Sequence, residues 1–396
     1  MTDSGVLAAL LSDRPDPYDG EAVLDLLCSA DRDHLNRMLR EVTGPLLFAG
    51  VDPGNQEKLT ELLGRQRRDE LQPDTLATVV HGLQSRRRTT QRDEVLVEIL
   101  LSRRGTELTR LKNFINTAEN HQDLEDLVYV DLRSHDRDLV LAHIASEAQG
   151  RIVKDPKVLS DIDDTVFCKL HDRRWPRGMI YPGVLALFEA LDLGCDNDPF
   201  DVGDLTFVTS RPADAWGLVE NWSRTALRQA GVSRLSVLSG TLRALVSKEA
   251  MASRKMENIA HYRRLFPEYQ IVFLGDSGQG DVIVSERLMD VEEAAIRLVL
   301  IHDVVGTPQS VRADHATRGI HFHDTYVGAA VIAFEHGLIS RRGLREVSKE
   351  AVGGFERTRW DSTGQRDRMR DLLEKDLTRA EDLLETDTSP VEDLPT

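Results

Sequence analysis

The spacing of hydrophobic positions divides the chain into two parts. In the first 150 residues apolar side chains recur three and four positions apart, as at Leu96, Ile99 and Leu100, and no segment alternates. This periodicity predicts a region built from α-helices alone. Further along, short apolar runs alternate with helical stretches, which predicts a parallel sheet covered by helices on both faces. The predicted strands are residues 158–159, 205–208, 235–238, 271–274 and 298–301.

The first part carries a weak internal repeat with an offset of 73 residues. Leu27 aligns with Leu100 and Ser29 with Ser102, and in both copies a polar break separates two helices. Two related helical units are the simplest interpretation. The second copy resembles an annexin repeat in sequence and in length.

That resemblance implies binding to acidic membranes through calcium, which annexins hold with loop carbonyls and a carboxylate. Where the family has its glycine-bearing loop, this sequence reads Gln84-Ser-Arg-Arg-Arg-Thr-Thr90, and the three arginines would repel calcium. We therefore expect a helical scaffold or a protein-contact region more than a calcium site. Peripheral membrane contact through this region is a further hypothesis.

The composition favours a soluble globular protein. The chain has 67 acidic and 50 basic residues, a formal net charge of −17, and 40% hydrophobic residues. The negative charge disfavours a nucleic-acid partner, and no apolar stretch approaches the roughly 20 residues of a membrane span. The N-terminus does not read as a signal peptide, and three cysteines without paired spacing suit a reducing compartment. We expect a cytoplasmic protein, with peripheral attachment to a membrane as an option.

Acidic side chains follow two of the predicted strands directly. The first strand runs into Ser160-Asp-Ile-Asp-Asp-Thr165, and the fourth into a glycine-rich turn that contains Asp276 and Asp281. Carboxylates at the exit of a buried strand are costly unless they are paired or hold a cation. If both strands are central neighbours, Asp161, Asp163, Asp276 and Asp281 converge on one divalent ion, and ligands that are all oxygens indicate Mg²⁺.

Two further groups lie between these turns. Thr209 ends the second predicted strand, and Ser210 stays open as the alternative hydroxyl, because a shift of one residue reverses the side that faces the site. Lys255 opens a helical stretch, with Lys248 and Arg254 as alternatives.

The order Asp-x-Asp-x-Thr, strand-final Thr, Lys and Gly-Asp-x-x-x-x-Asp is the four-part signature of the haloacid dehalogenase superfamily of aspartate-nucleophile phosphatases. Together with the later Gly319-Ile-His-Phe-His-Asp-Thr-Tyr-Val327, these motifs resemble the catalytic domain of the actin-patch-associated, lipin-like phosphatidate phosphatases. The resemblance implies a Rossmann-like α/β fold and a lipid phosphate monoester as substrate.

The same resemblance implies a role for each residue. Asp161 would attack phosphorus and become an aspartyl-phosphate once Mg²⁺ has neutralised the charges. Asp163 would protonate the leaving alkoxide and later accept a proton from water, with Thr165 hydrogen-bonded to its carboxyl. Thr209 or Ser210 and Lys255 would hold the phosphoryl oxygens. We expect Asp164 at the surface or in a supporting position.

The spacing between motifs predicts an enzyme without a cap domain. The 39 residues between Thr165 and Leu205 leave room for a flap and one helix. An open site suits a phosphate on a large carrier, and Leu170 or Trp175 in the flap are candidates for acyl-chain contact. A phosphoprotein or a polynucleotide end is an alternative substrate, and a non-catalytic lipid-binding scaffold is an alternative function.

We thus predict three regions: an all-α annexin-like domain over residues 1–150, a capless phosphatase domain over residues 151–345, and a helical tail over residues 346–396 with a disordered end.

Overall fold

The computed structural model describes residues 17–116, 123–200, 205–212, 236–240 and 247–386, together with Leu7, Leu10 and Leu11. The side chains of residues 17–19, 209–212 and 236–240 and of Glu292 are outside this description, as is the predicted disordered end. The chain divides into two compact units, Met1–Arg151 with His261–Glu268, and Ile152–Ala260 with Tyr269–Thr396. The division into three folding domains stays a prediction.

The described part of the first unit is helical, as the periodicity predicts. Its first helix and the sixth begin 73 residues apart and also end 73 residues apart, in agreement with the internal repeat. The α-helices are α1 (Pro17–Ser29), α2 (Arg32–Arg40), α3 (Gly44–Ala49), α4 (Pro53–Glu61), α5 (Pro73–Gln84), α6 (Thr90–Ser102), α7 (Gly105–Asn116) and α8 (Ser134–Ala148). Two π-helical turns, Leu62–Gln66 and Asp126–Asp131, and a 3₁₀ turn, Arg68–Glu70, complete the described part.

The arginine run that replaces the annexin-type loop is tied to its own unit. The Arg86 guanidinium donates a hydrogen bond to Thr60 Oγ1 at 2.7 Å and lies over the Phe48 ring. Arg88 pairs with the buried carboxylate of Asp93 at 3.1 Å. These two side chains therefore stabilise the helical unit, while Arg87 is exposed.

A buried ion pair lies inside the first unit. Lys112 of α7 contacts Glu268 at 2.8 Å, and the side chains are 2% and 1% exposed. Lys112 Nζ also donates to the carbonyl oxygen of Leu265 at 2.7 Å and lies 5.1 Å from the centroid of the Phe266 ring. One ammonium thus meets one carboxylate, a backbone carbonyl and an aromatic face, so its charge is matched.

The described residues of the second unit form one parallel sheet of six strands in the order β3-β2-β1-β4-β5-β6. The strands are β1 (Lys157–Ser160), β2 (Leu205–Pro212), β3 (Ser236–Gly240), β4 (Ile271–Asp276), β5 (Ile296–His302) and β6 (Ile320–His323). The five predicted strands are all present, and β6 was missed. The α/β class of this unit is confirmed.

The direction of the chain through the sheet reverses between β1 and β4. Strands β1 to β3 lead outward on one side and β4 to β6 on the other. In sheets of this kind ligands bind outside the carboxyl ends of the strands at such a switch point. The topology therefore points to the two acidic turns that follow β1 and β4.

The described helices of this unit lie between its strands and after them, and they complete the core. They are α9 (Val184–Leu193), α10 (Lys248–Leu265), α11 (Asp281–Glu292), α12 (Gln309–Thr317), α13 (Tyr326–Glu335), α14 (Arg341–Arg357) and α15 (Thr363–Thr386). Phe355 of α14 and Met369 and Leu373 of α15 belong to the same apolar core as strand residues Val158 and Val272. The C-terminal helix thus packs on the body of the unit. No described helix combines the length and hydropathy needed to cross a membrane.

Candidate active site

The acidic turns after β1 and β4 lie side by side because the two strands are hydrogen-bonded neighbours. Ser160 is the register partner of Leu274, and the Asp161 N–H donates to the Leu274 carbonyl at 2.9 Å. Asp161 therefore leaves β1 beside the point where β4 ends at Asp276. The predicted neighbourhood of the two strands is observed.

Three carboxylates form a buried cluster at this edge. One oxygen each from Asp161, Asp276 and Asp281 lies within 4.8 Å of the other two, and all three residues are buried. Asp281 is the first residue of α11, and its Oδ2 accepts a hydrogen bond from the Asp276 N–H at 3.1 Å. Gly275 makes this approach feasible, because a Cβ at that position would lie 2.5 Å from Asp281 Cβ.

Lys255 of α10 supplies the positive charge in the cluster. Its Nζ lies 2.8 Å from Asp161 Oδ1 and 2.5 Å from Asp281 Oδ1, and its side chain is 3% exposed. The alternatives are directed elsewhere: Lys248 is exposed, and Arg254 pairs with Glu257. Lys255 is the lysine that the structure brings to the acidic turns.

The cluster holds more negative than positive charge, with three carboxylates and one ammonium. Burial raises the pKa of Asp161, and the opposing effect of Lys255 does not cancel it. Burial and then the charges of Asp281 and Asp161 raise the pKa of Asp276 well above its usual value. Burial alone would lower the pKa of Lys255, but the two carboxylates beside it outweigh burial and raise that pKa. The site therefore favours the addition of positive charge.

Asp161 also presents a free oxygen. Its Oδ2 is buried and has no hydrogen-bond partner within the described part of the chain. A buried, unsatisfied carboxylate oxygen is costly in a folded protein. An atom of this kind at a switch point is available to a cation or to an electrophile.

Asp163 and Thr165 do not interact as the motif implied. The Asp163 carboxylate pairs with Lys169 at 3.1 Å and is not a member of the three-carboxylate cluster. Thr165 Oγ1 is buried without a hydrogen-bond partner among the described residues, so its expected bond to Asp163 is wrong. The reason is local, since Asp164 between them has a positive φ of 59°, which redirects the chain. A side-chain metal contact by Asp163 stays a prediction.

Asp164 organises the segment that follows. It is fully buried, not at the surface, and its carboxylate accepts hydrogen bonds from the backbone N–H groups of Lys169 (2.7 Å), Leu170 (2.9 Å) and His171 (2.6 Å). Aspartate tolerates the left-handed backbone region better than most residues. Asp164 thus closes a tight turn beside the acidic cluster.

The turn belongs to a hairpin over residues 166–181, which we call the flap. Its arms are joined by hydrogen bonds between Cys168 N and Met179 O and between Tyr181 N and Val166 O. Trp175 is buried and stacks on Trp360 at 5.0 Å, so it packs in the core and does not present itself to acyl chains. Residues 169–177, between the arms, form the flap tip.

A charged network missed by sequence reasoning anchors the flap tip. Arg174 donates to Asp172 at 3.1 Å, to Asp324 at 3.0 Å and to His302 Nε2 at 3.2 Å. Arg312 of α12 binds Asp324 from the other side at 2.7 Å. The flap tip is therefore fixed to the ends of β5 and β6 as well as to Asp164. Only the mixture of basic and acidic letters in residues 169–177 hinted at this role.

His302 and His323 have packing and hydrogen-bonding roles. His302 Nδ1 lies 2.9 Å from the Asp164 carbonyl oxygen, and its ring stacks on that of His323 at 5.3 Å. Burial lowers the pKa of His302 to about 4. These rings are neutral at pH 7 and support the turn of Asp164.

The two candidate hydroxyls cannot be compared. Thr209 and Ser210 lie in β2, which pairs with β1, but their side chains are outside the described residues. The choice between them stays a prediction.

One protein-family model covers most of this region. The family model described as "Phosphatidate phosphatase APP1, catalytic domain" matches residues 156–303. The match includes both acidic turns, Lys255 and the flap. Comparison with curated proteins and with solved structures gave no significant match.

Proposed function

We propose that the chain is a phosphoric monoester hydrolase that removes phosphate from phosphatidate or a related lipid in a Mg²⁺-dependent reaction. The match of residues 156–303 to the catalytic-domain model of phosphatidate phosphatase APP1 supports this proposal. The observation that carries this proposal is the buried cluster of Asp161, Asp276, Asp281 and Lys255, with Asp161 Oδ2 unpartnered, at the switch point of the sheet.

The chemistry of the cluster fits Mg²⁺. Three carboxylates and one ammonium carry a formal charge of about −2 when ionised, which one divalent cation balances. Oxygen donors are the ligands that Mg²⁺ prefers. Asp161 and Asp276 would hold the ion. Asp281 would orient Lys255 and Asp276, because it binds the Lys255 ammonium and the Asp276 N–H. When bound, the ion supplies the charge that lets a phosphate dianion approach a carboxylate.

The residues divide the reaction among them. Asp161 attacks phosphorus with a carboxylate oxygen, and the bond from phosphorus to the lipid alkoxide breaks. Asp163 gives a proton to that alkoxide and afterwards takes one from the water that hydrolyses the phospho-aspartate. Lys255 fixes Asp161 and offers its N–H groups to the phosphoryl oxygens, together with the hydroxyl of Thr209 or Ser210.

The substrate class is supported by the construction of the flap. Between Thr165 and β2 the described residues form a hairpin and the single helix α9, with no cap domain. A site that no cap domain from this described segment covers admits a phosphate that is attached to a large carrier. A lipid in a bilayer meets that description, and the matched family is named for such a lipid.

The test is a substrate panel with Mg²⁺, comparing wild type, Asp161→Asn and the control Asp367→Asn, which changes an aspartate whose side chain is 60% exposed. We expect hydrolysis of phosphatidate in mixed micelles, a loss of about 10⁴-fold or more in Asp161→Asn, and full activity in the control. Activity on a phosphopeptide or a 3′-phosphorylated oligonucleotide without activity on phosphatidate would contradict the substrate. No turnover of any phosphomonoester would contradict the enzyme.

A further inference from the structure

The flap tip has a composition unlike that of the whole chain. Residues 169–177 contain Lys169, Arg173, Arg174 and Arg177 against one aspartate, in a protein whose formal net charge is −17. Arg174 is committed to the anchoring network, whereas Arg173 and Arg177 are exposed and Lys169 is half-buried. The flap tip is therefore a local basic surface on an acidic protein.

The same segment exposes an aliphatic side chain. Leu170 is 47% exposed although its backbone N–H is held by the buried carboxylate of Asp164. The backbone on both sides of Leu170 is bound by the same carboxylate, so the side chain is presented by a fixed turn.

The turn after β5 is built in the same way. The Asp303 carboxylate accepts hydrogen bonds from the backbone N–H groups of Gly306 and Thr307. Val305, which precedes Gly306 in this turn, is 56% exposed. Because β1 and β5 are parallel strands of one sheet, both turns lie at its carboxyl edge.

This surface is continuous with the mouth of the active site. Lys169 Nζ lies 3.1 Å from Asp163, and His171 lies with Asp164 and Asp276 in a group whose ligand atoms are within 4.8 Å of one another. His171 is 42% exposed in its side chain, so the flap tip extends from the acidic cluster to the solvent.

We infer that the flap tip, together with Val305 at the same edge of the sheet, is the surface that docks on an anionic lipid membrane, with Leu170 inserted among the lipids and Arg173 and Arg177 against their phosphates. An anionic membrane attracts basic side chains and takes up exposed aliphatic ones, and the flap tip presents both kinds. The inference rests on the proposed function and deepens it: the membrane that carries the substrate is bound at the catalytic unit itself, where a headgroup phosphate meets the site.

The test measures co-sedimentation of the full chain with phosphatidylcholine vesicles that contain 20 mol% phosphatidate. Each basic residue near an anionic surface contributes about 1 kcal/mol, or roughly fivefold in affinity. We expect Arg173→Glu/Arg177→Glu to weaken binding at least about tenfold and Leu170→Asp to weaken it about tenfold. The control is Val291→Asp, a change at a 73% exposed aliphatic side chain near the end of α11 and hence toward the amino edge of the sheet, which should bind as wild type does.

Activity on p-nitrophenyl phosphate separates the docking surface from the chemistry. Leu170→Asp should keep the wild-type rate on this soluble ester and lose rate on vesicles. Vesicle binding by Leu170→Asp and the arginine double variant that equals that of wild type would overturn the docking surface even if the enzyme is active. A wild type that binds vesicles through these residues but hydrolyses no phosphomonoester would leave the surface intact and contradict the proposed function instead.

Discussion

Lys112 and Lys255 are both buried lysines, and the difference between their surroundings separates structure from function. Lys112 faces one carboxylate, Glu268, and its charge lowers the pKa of Glu268 despite the opposing effect of burial. Lys255 faces two carboxylates of a cluster of three, and the pKa values of Asp161 and Asp276 are raised. A matched pair is complete in itself, whereas a surplus of buried negative charge calls for a partner from outside.

The largest expected effect comes from removing Lys255, the lysine of the acidic cluster. We expect Lys255→Met to reduce the kcat for phosphatidate by at least about 10²–10³-fold, because the ammonium that holds Asp161 and the phosphoryl oxygens is lost. Steady-state kinetics checks this result. Lys349→Met, at a lysine whose side chain is 71% exposed, is the control and should leave kcat unchanged. An equal loss in both variants would contradict the assignment.

Breaking the ion pair of Lys112 and Glu268 should change the stability of the protein and not its chemistry. We expect Lys112→Met to lower the free energy of unfolding by about 3–5 kcal/mol, because Glu268 remains buried without its cation. Urea unfolding followed by circular dichroism measures this change. Lys112→Met/Glu268→Leu replaces both charges with apolar groups and should recover most of the loss. If the double variant is no more stable than the single one, the cost does not come from an unpaired charge.

Magnesium should distinguish the two lysine sites. A ligand that binds only the folded state adds about 2.7 kcal/mol to the free energy of unfolding at 100 times its dissociation constant. We expect Mg²⁺ to stabilise wild type and Lys112→Met alike, and to lose this effect in Asp276→Asn. Thermal unfolding with and without Mg²⁺ provides the measurement. Equal stabilisation of Asp276→Asn would place the ion elsewhere.

The smallest expected effect is the pH dependence of the stability difference between wild type and Lys112→Met. In wild type the pKa of Glu268 is lowered in the folded state, so its contribution to stability is present above its ordinary value of 4.5 and is lost as pH falls below it. In Lys112→Met the buried carboxyl lacks its cation, so its folded-state pKa is raised and folding takes up a proton. The stability gap between the two proteins should therefore narrow from pH 7 to pH 5, by at most about 1.4 kcal/mol per pH unit. A constant gap in urea unfolding would contradict this account.

The residues of the acidic cluster could be found from the sequence because they follow buried strands directly. The carboxyl ends of parallel strands share one edge, so Asp161 and Asp276 were predictable neighbours once β1 and β4 were recognised. Lys255 followed from its place in the motif order, and the structure separates it from Lys248 and Arg254. The helices of the first unit followed from periodicity.

Other features depend on backbone geometry that periodicity does not encode. Strand β6, Ile320–His323, has only four residues and gives too short a pattern to detect. The orientation of Thr165 depends on the positive φ of Asp164, which a motif comparison does not show. Cys28 and Cys195 are exposed and Cys168 is buried, a difference that the spacing of the three cysteines does not indicate.

The turn closed by Asp164 is held through main-chain atoms, and every residue except proline supplies an N–H group there. Of the three side chains there, Lys169 contacts Asp163 and His171 contacts Asp164, whereas the exposed side chain of Leu170 can be exchanged while the geometry persists. A single aspartate thereby fixes the length and the anchor of this short segment, and the residue at position 170 can change to suit a different interface without rebuilding the catalytic centre underneath.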